Sequence, residues 1–219
     1  MNLSSSRILL PSVLVLLAGV ACKSSTHDQG AGTGKNITKA AEEIESGIGH
    51  LDATVSSLNA LVNQPAADLE PQYKAFAKNL DNLESTAKNV AKISAAMAEQ
   101  GQAYFTKWDE QIAAIQNEDI RERSAERKEK VAAALKEIQD EYAEAKEEFK
   151  PLLSDLQDIR TALDVELTMD AVESLQDNAE DVSESAEDVK ESLTELVQNF
   201  RDLGVRLSKA GPAAEAAAK

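Results

Sequence analysis

The sequence predicts an all-α protein: an elongated antiparallel helical bundle of one shorter and three long helices, following a signal peptide and a flexible linker. Two features carry that expectation. Apolar residues recur at alternating steps of four and three from residue 37 to 208, which keeps them on one stripe of a helix and gives coiled-coil-like packing. The breaks between the runs are short, so consecutive helices fold back on one another. Aromatic residues are only 4% of the 219, a content that suits a rod better than a globular enzyme.

Residues 1–21 read as a lipoprotein signal peptide, with Arg7 in a short basic leader, an apolar stretch from Ile8 to Val20, and small residues before Cys22. A membrane-spanning helix needs roughly 20 apolar residues, whereas Ile8–Ala21 supplies about 14 and contains Pro11. An ordinary secretory signal would not need a cysteine at the cleavage point. The mature chain is therefore expected to begin at Cys22, lipidated, and to sit in the cell envelope, with Lys23 favouring the outer membrane facing the periplasm. Stable anchoring takes two acyl signals rather than one, which a diacylglyceryl group plus an N-acyl group would supply. Cys22 is the only cysteine, so no disulfide forms within the chain and stability must come from packing.

Residues 22–36, the lipidated cysteine and a Gly-, Ser- and Thr-containing stretch, lack apolar periodicity and read as a flexible linker. The first heptad run holds Ile37, Ala41, Ile44, Ile48, Leu51, Val55, Leu58 and Val62, and ends before Pro65. A second starts at Asp68, a capping residue before Leu69, Glu70 and Pro71, and runs from Tyr73 through Met97, Tyr104 and Trp108 to Ile115. The third, from Val131 to Leu163, passes straight through Pro151, so one continuous kinked helix is expected. The fourth follows Thr168, from Val172 to Leu207. Residues 37–208 thus form the bundle, and 209–219 an Ala-rich disordered tail ending in Lys219. With a first helix shorter than its partners, the half holding Tyr104, Phe105, Trp108 and Phe200 is expected to contain three helices.

Catalytic patterns are scarce. His27 and His50 are the only imidazoles, and no Gly-rich phosphate loop, Glu-x-x-His pair or nucleophile elbow occurs. No enzyme activity, cofactor or metal is expected. The net charge of −16 becomes −17 without Arg7, and such a surface repels nucleic acid. Ten acids from Asp170 to Glu195 are balanced only by Lys190 on the fourth helix. Arg121, Arg123, Arg127, Lys128 and Lys130 make one basic cluster, and Trp108 folds back to face about Lys128 in a cation–π contact. Tyr104, Phe105 and Trp108, with Arg121, Arg123, Arg127 and Lys128, form the candidate partner surface. Solvated bundle surface and core packing account for the same residues without a partner.

Four landmarks carry a family resemblance: Asp68-Leu69-Glu70-Pro71-Gln72-Tyr73; Tyr104-Phe105-x-x-Trp108 with Asn117 after it; Pro151-Leu152-Leu153; and Ala171-Val172-x-Ser174-Leu175. From Asp68 to about Phe200 the chain resembles bacterial lipoproteins grouped as domain of unknown function 2959. It departs from them in having Asp164-Val165-Glu166-Leu167 before the fourth helix, where that family is associated with His and Asn. The resemblance implies an exported helical lipoprotein, and it carries over no activity and no functional residue.

The functional expectation is an anchored, non-enzymatic scaffold or interaction protein. Its partners are the membrane through the lipid, and an envelope protein or a second copy of itself. A chaperone-like protein that binds clients on the aromatic three-helix end is the alternative, and a membrane-to-peptidoglycan tether through Lys219 is a third reading.

Overall fold

A computed structural model describes the backbone of residues 26–209 and the side chains of 34–205. The signal peptide, Cys22 and the tail to Lys219 lie outside the described residues. The chain is all-α, with α1 (Thr26–Asn63), α2 (Glu70–Ala114), α3 (Glu118–Val165), the short α4 (Met169–Ser174) and α5 (Gln176–Lys209).

Each turn is made by the residue chemistry at its ends. Pro65 follows the end of α1, and the Gln72 side-chain amide donates to the carbonyls of Ala60 and Gln64, both at 3.0 Å. The Gln64 carbonyl just past the helix end is thereby satisfied, and the Ala60 carbonyl, which already accepts the Gln64 N–H at 3.2 Å, gains a second donor. The N-cap of α2 is Leu69 rather than the expected Asp68; Asp68, one residue earlier, accepts the Glu70 backbone N–H at 3.1 Å, and Pro71 occupies the first turn. Asn117 caps α3 by accepting the Ile120 N–H at 3.1 Å, and Thr168 caps α4 by accepting the Ala171 N–H at 3.2 Å.

Around the bundle axis the order is α1, α2, α3, α5, with α1 opposite α3. Cross-helix hydrogen bonds fix the antiparallel register: Asn36 to Gln100 and Asn79 to Ala53 join α1 with α2, and Asn59 to Ser183 joins α1 with α5. Asn199 to Glu141 joins α3 with α5. The start of α1, the α2–α3 turn and the end of α5 therefore share one end of the rod. The α1–α2 turn and the α4–α5 junction share the other.

Two core clusters stack along the axis. One holds Leu58, Phe76, Leu80, Leu156, Leu163 and Val182, at the end of the α1–α2 turn. The second holds Ile37, Met97, Tyr104, Trp108, Leu135 and Phe200. Most of their buried side chains sit on the heptad stripes, with Ala40, Leu61 and Val197 beside them, and each large apolar one is worth about 1.5–3 kcal/mol on full burial.

Three features depart from the sequence reading. Residues 26–36, expected within the flexible linker, form the first turns of α1, so the first helix is 38 residues long. Ile37, Ala40 and Ala41 then pack in the same cluster as Tyr104 and Phe200, and that half has four helices rather than three. The physical reason is a close α1–α5 crossing. A Cβ added at Gly204 would lie 3.2 Å from the Gly34 carbonyl oxygen, so small residues let the backbones of α1 and α5 approach there. The fourth run is also divided: the Leu175 N–H bonds back to the Val172 carbonyl at 3.2 Å, a one-residue tightening before α5 resumes. By contrast α3 runs unbroken through Pro151, as the heptads predicted.

Candidate functional site

The aromatic and basic residues singled out in the sequence do come together, at the end of the rod formed by the α2–α3 turn. Tyr104 and Trp108 are 5% and 7% exposed and belong to the core, with ring centroids 5.3 Å apart. Phe105 packs half-buried against the same cluster, 5.4 Å from Tyr104. The indole N–H of Trp108 donates to Ser124 Oγ at 3.1 Å, satisfying its one polar atom. Burial pushes the Tyr104 phenol above its ordinary range, opposed by the nearby Arg127 charge.

The cation over the Trp108 ring is Arg127, 5.7 Å from the centroid, not Lys128 as the fold-back register suggested. Lys128 instead reaches Asp109 at 2.5 Å, and Arg121 pairs with Glu118 at 3.3 Å. Arg123 is exposed. Glu122, Glu126 and Glu129 are interleaved with these cations, so the cluster's charge is largely balanced locally. Two of the three rings, Tyr104 and Trp108, are occupied in packing α2 against its neighbours.

An open apolar site lies elsewhere, midway along the rod. Between α2 and α3 a cleft of about 350 Å³ reaches down to Ile44 and Gly47 of α1 and Leu193 of α5. Its walls are Leu83 and Val90 on one side, Tyr142, Phe149 and Leu153 on the other. The volume falls in the range of small-molecule sites, roughly 300–1,000 Å³. Lys88, Lys146 and Lys150 line it together with Glu84 and Gln157. Glu84 accepts from Gln157 at 2.8 Å and pairs with Lys88 at 3.5 Å. The Tyr142 phenol is raised by burial, partly offset by a hydrogen bond with Ser94. The lining contains neither thiol nor imidazole, so the chemistry it offers is apolar enclosure with a charged rim.

The cleft was not anticipated from the sequence, although a signal exists. The α2 stripe passes from Leu83 through Ala87 to Val90, opposite Gly47, where small side chains leave volume that larger ones fill elsewhere.

The sequence pattern of the family described as "Protein of unknown function (DUF2959)" matches residues 34–202, well over half of the chain. The chain belongs to the DUF2959 family. The match takes in the landmarks read between Asp68 and Phe200 and extends to α1, whose segment from Gly34 lies inside it. Both the Trp108 cluster and the apolar cleft fall within the DUF2959 region. No curated protein and no solved structure matches the chain. Among the described residues no helix is long and apolar enough to cross a membrane.

Proposed function

We propose that this DUF2959 protein is a lipoprotein held in the cell envelope, outer membrane and periplasmic side, through Cys22, and that it acts without catalysis as a helical scaffold. Its working surface is the acidic face at the end remote from the anchor. One observation carries this reading: the rod is polar in charge and its ends are distinct. The acids Asp170, Glu173, Asp177, Glu180, Glu184 and Glu187 are all exposed, near the α1–α2 turn. Lys190 is the basic residue among them, and it is engaged by Asp52 at 3.3 Å and Glu187 at 2.7 Å. Cys22 precedes α1 by only a few residues, so lipidation there would hold the opposite end of the rod at the bilayer. An anionic membrane repels the acidic end, which favours presenting that end to a cationic partner in the periplasm.

The client-binding reading draws no support from the Trp108 cluster, whose rings are mostly buried. The tether reading draws no support from the described residues, which place the end of α5 beside the first half of α1 and do not include Lys219. Replacing Cys22 by Ser should move the full chain from the membrane to the soluble fraction. Crosslinking in whole cells should trap one discrete partner through the acidic face. Persistence in the membrane pellet counts against the anchor, and the absence of any discrete crosslinked species counts against the scaffold.

A further inference from the structure

We propose that the cleft between α2 and α3 binds one single-chain fatty acid, its alkyl chain in the apolar interior and its carboxylate among the lysines at the rim. Nothing in this inference depends on lipidation of Cys22, because the cleft is built entirely from residues 44–193.

The interior has the chemistry of an alkyl site. Ile44, Leu83, Val90, Phe149, Leu153 and Leu193 come from all four long helices and surround about 350 Å³ that no side chain of the protein fills. An acyl chain entering it removes apolar surface from water on both sides at roughly 25 cal/mol per Å². The cleft also lies at the joint between the two core clusters, against both of which Leu193 packs. An alkyl chain there would continue the core rather than interrupt it.

The rim selects the head group. In a chain with 39 acidic and 23 basic residues, the charged residues lining this cleft are Lys88, Lys146 and Lys150 against Glu84 alone. Lys88 is held by Glu84 at 3.5 Å, and Lys150 lies 4.0 Å from Glu147. Lys146 has no ion pair with any described residue. Long lysine stems lie along apolar walls while their ammonium groups reach water, which places positive charge at the mouth. A carboxylate there gains charge-assisted hydrogen bonds. A neutral head group gains none, and a cationic one is repelled.

The test uses the full chain in membranes isolated from producing cells, with a diazirine analogue of palmitate as the probe and mass spectrometry of crosslinked peptides as the readout. Crosslinks are expected in segments 83–91 and 142–153, suppressed by excess palmitate. Ala91→Trp, at an exposed lining position, should abolish them by filling the mouth. Lys146→Glu with Lys150→Glu should reduce them at least fivefold, while Lys136→Glu, an exposed lysine outside the cleft, should leave them unchanged. Unaltered helicity and melting by circular dichroism will show that each variant is folded. Labelling scattered along the rod, labelling that survives Ala91→Trp, or equal labelling by a diazirine analogue of hexadecanol would overturn the proposal.

Discussion

Glycines in α1 and α5 show how one residue type takes opposite roles on the same pair of helices. Gly49 is exposed, and a Cβ there would meet nothing within 4 Å. A Cβ at Gly204 would come within 2.8 Å of Thr38 Oγ1 and 3.2 Å of the Gly34 carbonyl oxygen. Thr38 cannot easily give way, since its hydroxyl already donates to that carbonyl at 3.1 Å. Gly49→Ala should therefore stabilise the protein by about 0.5–1 kcal/mol through helix propensity. Gly204→Ala gains the same propensity but meets roughly 1–3 kcal/mol of overpacking, and should be net destabilising. Urea unfolding of both variants checks the pair. Equal stabilisation would show that α1 and α5 are not in close contact at that crossing.

At the scale of elements, the heptads of α2, α3 and α5 were legible because packing and periodicity agree there: Phe76, Leu80, Leu156 and Phe200 are almost wholly buried. Residues 26–36 were not legible. Their glycines have poor helix propensity and they lack an apolar stripe, so neither of the two signals by which a helix is read from a sequence is present there. The same blindness hid the cleft, since period shows which face turns inward but not whether the side chains fill the space. Trp108 was correctly placed beside the basic cluster, but a one-residue error in register exchanged Lys128 for Arg127. Pro151 is a local rule broken inside a stable element. It removes one hydrogen bond from α3 while remaining exposed, so replacing it leaves no cavity. Pro151→Ala should stabilise the protein by roughly 1–2 kcal/mol, the helix-interior gain less the added freedom of the unfolded chain. A loss of stability instead would mean that the backbone shape at Pro151 is needed to seat Leu152 and the cleft residues Phe149 and Leu153 around it.

For the whole molecule, charge is the term that opposes folding over the longest range. The net charge is −16, and on α5 the acids fall at helical neighbours: Asp177 with Asp181, Glu180 with Glu184, Glu184 with Asp188, Glu187 with Glu191, and Glu191 with Glu195. Each such like-charge pair costs about 0.2–0.5 kcal/mol. Attractive pairs act in the other direction, among them Arg160 with Asp81 at 2.6 Å, Lys128 with Asp109 at 2.5 Å and Lys190 with Asp52 at 3.3 Å. Their partners are largely exposed, and exposed pairs contribute only about 0–1 kcal/mol each. Salt weakens both sets, but the repulsion among α5 acids adds to that of the whole surface, whereas the ion pairs act locally, in ones and twos along the rod. Raising sodium chloride from about 0.01 to about 1 M shortens the screening length from roughly 30 to 3 Å. The net effect should be a melting temperature higher by roughly 3–6 °C, equivalent to about 1–2 kcal/mol in a chain of this size. Thermal melts followed by circular dichroism across that range provide the measurement. A falling melting temperature would show that the cross-helix ion pairs outweigh the acidic face. A rise, by contrast, reports repulsion that a cationic partner covering the face would also relieve, making the scaffold more stable in complex than alone.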